Sequence, residues 1–106
     1  MIEIRQYQTA DRHIPFADWL TALRDPRANQ AIAARIARMQ SGNRGDWKAL
    51  GAGVFELRID TGPGYRVYCG QDGEMLILLL CAGDKRSQSK EIQRARDYWN
   101  DYKIRR

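Results

Sequence analysis

Eight consecutive apolar residues, Met75 to Ala82 in "MLILLLCA", set the tightest limit on what this chain can fold into. The run is far too short to span a membrane. Met75, Ile77, Leu79 and Cys81 alternate with Leu76, Leu78, Leu80 and Ala82, so neither side of an extended segment would be polar. Such a strand is central in its sheet and covered on both faces for part of its length. A chain of 106 residues has room for one domain around it, spanning 1–106.

The rest of the pattern supplies the cover. Residues 2–8 alternate and read as a first strand with Ile2 and Ile4 on one face. Phe16, Trp19, Leu20 and Leu23 recur at helical spacing behind Pro15. Asp25-Pro26 then gives an N-cap with proline at the first helical position, and Ala28, Ala31, Ile32, Ile36 and Met39 carry a second helix to a stop at Gly42. So short a join predicts an αα-hairpin. From Trp47 the period becomes two, with strands near Trp47–Leu50, Val54–Ile59, Tyr65–Gly70 and Glu74–Ala82. "SQSKEIQRARDYWNDY" reads as a last helix, capped by Ser87 or Ser89, with Ile92, Ala95, Trp99 and Tyr102 inward. Strand, two helices, β-meander and helix make an α+β domain.

Asp72-Gly73 is a two-residue type I′ hairpin signal, which would place Cys69 opposite Leu76 and Cys81 opposite Gly64. The sulfurs would then lie roughly 17 Å apart along the strands, too far for a disulfide. Two free thiols, and an N-terminus unlike a signal or transit peptide, point to the cytoplasm. His13, in the loop before the first helix, reads as a surface residue, and Trp19, Trp47 and Trp99 as core or core-edge residues.

Two cations stand out in the meander. Phe55, Leu57 and Ile59 share a face, as do Tyr65, Val67 and Cys69, which puts Glu56, Arg58, Arg66 and Tyr68 on the other. Both apolar sets reach one core only if an odd number of residues separates paired positions. A three- or five-residue turn around Gly62-Pro63-Gly64 does this, setting Arg58 against Arg66 and Glu56 against Tyr68. Like charges facing each other across a sheet are destabilising. Either an anion such as phosphate sits between the two guanidiniums, or Glu56 and Asp60 neutralise them in a surface ladder. Lys85 and Arg86 follow the last strand, and Lys48 enters from the strand before Val54.

Residues 84–106 hold eight Lys or Arg against four Asp or Glu, and the preceding residues ten against nine. The basic C-terminal fifth suits a polyanion. One histidine and two separated cysteines supply no metal-ligand cluster, and no cofactor is expected.

The run "GVFELRIDTGPGYRVYCG…ILLLCAGDKRSQSKEIQRARDY", behind "FADWL", resembles the addiction-module killer proteins of the RelE/ParE toxin superfamily, close to HigB-type toxins. The resemblance covers roughly residues 2 to 102. It implies a RelE-like fold: a small twisted antiparallel sheet with an N-terminal helical hairpin and a C-terminal helix. It also implies the toxin of a type II toxin-antitoxin system, an endoribonuclease (mRNA interferase) that cuts mRNA, commonly on the ribosome. The implied partner is a cognate antitoxin of the helix-turn-helix type. ParE-like relatives poison DNA gyrase instead, and a third reading is a non-catalytic nucleic-acid or protein-binding module on the same scaffold.

Carried over by position, Arg58 matches the "E-L-R" arginine, Arg66 the "Y-R-V" arginine and Lys85 the basic residue after the last strand. Lys48 matches the polar position ahead of the second meander strand. Several relatives place a proton-transferring His or Tyr near the chain end, where this chain offers Tyr98 and Tyr102. Metal-independent attack by the RNA 2′-hydroxyl requires a base, stabilisation of a dianionic phosphorane and protonation of the leaving 5′-oxygen. Arg58 and Arg66 are the candidates for the phosphate, Lys85 or Lys48 for proton transfer, Glu56 for a base or an ion-pair partner, and Tyr68 for stacking or proton donation. Arg86, Lys90 and Arg94 are candidates for RNA binding.

Overall fold

The computed structural model describes all 106 residues, Met1–Arg106. Strand β1 (Glu3–Gln6) leads to helices α1 (Pro15–Ala22) and α2 (Pro26–Gln40). Strands β2 (Trp47–Gly51), β3 (Val54–Ile59), β4 (Tyr65–Asp72) and β5 (Leu76–Asp84) follow. A 3₁₀ turn at Lys85–Ser87 then leads directly into α3 (Gln88–Arg105). The sheet order is β1-β5-β4-β3-β2, so the apolar strand β5 is internal, as its composition requires. The meander is antiparallel, whereas β1 joins β5 in parallel, which makes the sheet mixed. No helix is long and apolar enough to cross a membrane.

Local chemistry sets the helix ends. The Asp25 side chain accepts from the Ala28 backbone N–H ahead of Pro26, and Gly42 at φ 92° ends the path of α2 in a conformation glycine adopts freely. At α3 the capping differs from expectation. Asp84, rather than a serine hydroxyl, accepts from the backbone N–H groups of Arg86 and Ser87, while the Ser87 hydroxyl donates to the Asp84 carbonyl.

The two sheet faces hold separate cores. Helices α1 and α2 cover the first, where Phe16, Ile32 and Met39 meet Phe55, Leu57, Ile59, Val67 and Cys69. Helix α3 covers the second, where Ala95 and Trp99 meet Val54, Tyr68, Leu78 and Leu80. Trp99 lies where a Cβ on Gly70 would come within 2.3 Å of its ring, so that glycine is the socket for the indole. The Trp99 Nε1–H donates to the Ala52 carbonyl at 2.9 Å, which satisfies its one polar group.

The β4–β5 register differs from the two-residue hairpin. Asp72 pairs with Leu76, leaving a three-residue connection in which Gly73 takes φ 67°. A bulge then follows, since Cys69 pairs with Leu79 but Tyr68 pairs with Cys81. The extra residue moves Cys81 into the second core and Ala82 into the first, exchanging the faces that strict alternation would give them. Cys69 and Cys81 are therefore separated by the sheet itself, and both are free and buried.

Candidate functional site

The arginine pair falls where alternation puts it. Ile59 pairs with Tyr65 across a five-residue turn, Arg58 lies opposite Arg66, and Glu56 lies opposite Tyr68. All four side chains belong to the α3 face, because their neighbours Leu57, Ile59 and Val67 fill the other. Two cations facing each other need a counter-charge, and Glu56 supplies it. Its Oε2 lies 3.2 Å from Arg58 Nε and 3.1 Å from Arg66 Nε. Arg58 donates a hydrogen bond there, whereas the Arg66 Nε–H is not aimed at the oxygen and makes only an ion pair. Gln88, on the first turn of α3, reaches the other oxygen at 3.5 Å.

One carboxylate oxygen thus serves two guanidiniums, and one positive charge of the pair stays uncompensated. The two arginines are not equivalent. The Arg58 side chain is 36 % exposed and its Nη groups make no hydrogen bond within the chain. Arg66 is 12 % exposed and donates through Nη1 to the Tyr65 carbonyl at 3.2 Å. Arg58 is the arm free to meet an anion, and Arg66 is the anchored one.

The lysines approach from either side. Lys48 pairs with Glu56 across β2 and β3 and is exposed. Lys85 follows β5, with its backbone N–H donating to the Gly64 carbonyl at 3.1 Å. Its aliphatic stem runs over Gly64, where an added Cβ would meet Cε at 2.9 Å, and the residue as a whole is exposed. Arg86, Lys90 and Arg94 recur every four residues and form one exposed stripe. Arg86 is paired with Asp84 at 3.0 Å and Arg94 loosely with Glu91 at 3.7 Å.

Two candidates are buried. Tyr68 is fully buried, its hydroxyl finds no hydrogen-bond partner, and desolvation, then the nearby Glu56 charge, raises its pKa. It belongs to the second core and leaves no ring face open to a base. Glu56 is equally buried, in contact with Arg58, Arg66 and Gln88. Near the chain end, the Tyr102 hydroxyl donates to Asp72 at 2.6 Å. Asp72 is six residues along β4 from Arg66, about 20 Å at strand rise. Tyr98 stacks on Tyr7 at 4.9 Å. Trp47 lies at the core edge, 44 % exposed and edge-on to buried Phe55 at 5.7 Å, with the Arg44 guanidinium 4.6 Å from its ring centroid. His13 is exposed between Asp11 and Asp18.

Residues 18–100 match the family described as Phage derived protein Gp49-like (DUF891). The chain belongs to this family. The Gp49-like family is of the RelE and addiction-module-killer toxin type. The chain is also 49 % identical over 83 residues to an uncharacterized protein of Haemophilus influenzae, covering 78 % of this chain and 84 % of that one. The matched segment runs from α1 to near the end of α3 and includes both arginines, Glu56 and both lysines, but not β1 or His13.

Two residues of the quoted "GDKRSQ" run, to which sequence reasoning gave no role, stand close to the arginines. Gln88, at the start of α3, reaches Glu56. Gly83 is the register partner of Arg66, and a Cβ there would lie 2.5 Å from Ser87 Oγ and 2.9 Å from Glu91 Cγ. It lets the start of α3 settle on the sheet beside the arginines. A glycine between an apolar strand and a basic helix was the available signal, since it marks close backbone approach. Five cavities of about 80 to 610 Å³ lie elsewhere along the surface, and none is lined by Arg58 or Arg66.

Proposed function

We propose that this chain is the HigB-like toxin of a type II toxin-antitoxin pair and a metal-independent endoribonuclease that cleaves mRNA on the ribosome, in the cytoplasm. The observation that carries the reading is the facing Arg58–Arg66 pair with a single shared carboxylate. A pair kept only for stability would be neutralised fully or replaced by apolar residues. Here net positive charge persists, with unengaged Nη groups on Arg58.

In this reading the Nη edge of Arg58 binds the scissile phosphate and the anchored charge of Arg66 stabilises the phosphorane. Lys85 and Lys48 flank that position as the groups for proton transfer to and from the 2′- and 5′-oxygens. Glu56 and Gln88 hold the guanidiniums in place. Arg86, Lys90 and Arg94 follow the RNA backbone, and a helix-turn-helix antitoxin silences the protein when bound.

The test is induction of the protein in bacteria with mapping of new mRNA 5′ ends against the reading frame. Frame-locked cuts are expected, and Arg66→Ala reduces them by about 10²-fold or more. Unaltered cutting by Arg66→Ala removes the arginine mechanism. A DNA-damage response without cuts assigns the gyrase-poison reading. One observation favours the non-catalytic binding module: Glu56 contacts both arginines. That module binds RNA but leaves every phosphodiester intact.

A further inference from the structure

Strand β1 pairs with β5 only over Leu76–Leu79, so beyond that point the outer edge of β5 has no neighbouring strand. A cavity of about 490 Å³ occupies the opening. Its floor is the backbone at Gly83, one wall is Trp19 of α1, and the other is Ser87 and Glu91 at the start of α3, with Arg86 at the rim. The Trp19 ring is braced edge-on by Tyr65 at 5.8 Å.

Glu91 is unusual among the acids of this chain. It is 8 % exposed, yet its carboxylate accepts no hydrogen bond from the protein. Its nearest cation, Arg94 Nη1, lies at 3.7 Å, beyond hydrogen-bonding distance. The sealed side-chain polar atoms without a partner are Arg66 Nε and the Tyr68 hydroxyl, so the Glu91 oxygens open toward the cavity rather than into the core. An acid left open beside a cavity with an aromatic wall is suited to a flat ligand carrying N–H donors.

We propose that this cavity binds a guanine base of single-stranded RNA, with the Glu91 carboxylate accepting from N1–H and N2–H and Trp19 packing against the ring. Guanine alone among the RNA bases presents two adjacent donors matching the two oxygens of one carboxylate; adenine and cytosine present one amino group each. Unpaired bases are commonly read this way, by an aromatic surface and hydrogen bonds to the base-pairing edge. The location agrees: Gly83 pairs with Arg66, so the floor is one strand spacing, about 4.8 Å, from the phosphate-binding arginine. A nucleotide whose phosphate rests on Arg58 and Arg66 has its base or its neighbour's base within reach, and Arg86 meets the adjoining backbone.

This inference rests on the nuclease reading, and a binding experiment separates the two. Guanosine, adenosine, cytidine and argininamide are titrated into ¹⁵N-labelled protein, following the Trp19 indole N–H and the amides of residues 82–91. Guanosine is expected to shift these signals and to bind about tenfold or more tightly than the other nucleosides. Glu91→Gln, checked for folding by its dispersed spectrum, removes that preference, whereas Trp19→Leu weakens all the nucleosides together. Equal binding of guanosine and adenosine, no shift in residues 82–91, or tighter binding of argininamide overturns the proposal, the last by assigning the cavity to a protein side chain. Guanosine selectivity in a protein that never cuts mRNA upholds the base site and removes the nuclease reading. Cutting without guanosine selectivity does the reverse.

Discussion

The two faces of the sheet are built from the same strands and differ in almost everything else. Toward α1 and α2, β3 and β4 present Phe55, Leu57, Ile59, Val67 and Cys69, a wholly apolar set. Toward α3 the alternate positions of these strands present Glu56, Arg58, Arg66 and Tyr68, three of them charged. Burying the first set is favourable at about 25 cal/mol per Å² of apolar surface. Burying the second set is not, because desolvating an ion pair can outweigh its attraction. The first face is stabilising throughout, whereas on the second the apolar core around Trp99 and Leu80 gives way to a charged stretch held at some expense to stability.

The sharpest way to break this contrast is to remove Glu56 alone. Glu56→Ala leaves Arg66 largely buried without a counter-ion and is expected to destabilise by about 3–5 kcal/mol in urea unfolding. The double replacement Glu56→Leu with Arg66→Met keeps volume and removes both charges. It is expected to return stability to within about 1 kcal/mol of the parent or above it, while abolishing RNA cleavage. If the double variant is as unstable as Glu56→Ala, the ion pair is structural and the contrast fails.

On the other face, Leu57→Ala opens a cavity in a fully buried position and lowers stability by about 3 kcal/mol, leaving cleavage per folded molecule unchanged. The smallest effect is that of acid. The Tyr102 hydroxyl and Arg106 hold the Asp72 carboxyl below its ordinary range, and Arg105 and the Tyr7 hydroxyl do the same for Asp101. Folded-state values below the unfolded ones mean stability that is complete above the ordinary carboxylate pKa. It fades as pH falls through the lowered values. Amide exchange should therefore quicken in the C-terminal half of α3 in acid before it does in the middle of α2, where the tie to the sheet is the Arg35 guanidinium donating to the Arg58 carbonyl.

How much of this was legible in the sequence depends on the range of the interaction. The α2 cap at Asp25, the β3–β4 turn and the facing of Arg58 with Arg66 are local or parity matters, and one chain segment carries them. The bulge at Leu80–Cys81 was hidden because every residue around it is apolar and no polar position marks the slip. The parallel pairing of β1 was hidden because four residues carry no direction of their own. For the site, alternation told which side Glu56 and Tyr68 occupy but not what lies above them. That depends on α3, seated where Gly70 and Gly83 leave space, and both side chains end up buried.

The seat of Trp99 on Gly70 has a reach beyond its own contact. A ring lodged in a notch of the sheet stops α3 from sliding lengthwise or rolling, and so fixes where its opposite end points. Gln88 lies eleven residues earlier, about 16 Å at helical rise, yet its grip on Glu56 is aligned by that notch. Enlarging residue 70 by a methyl group would therefore be felt as misaimed guanidiniums far from the substitution.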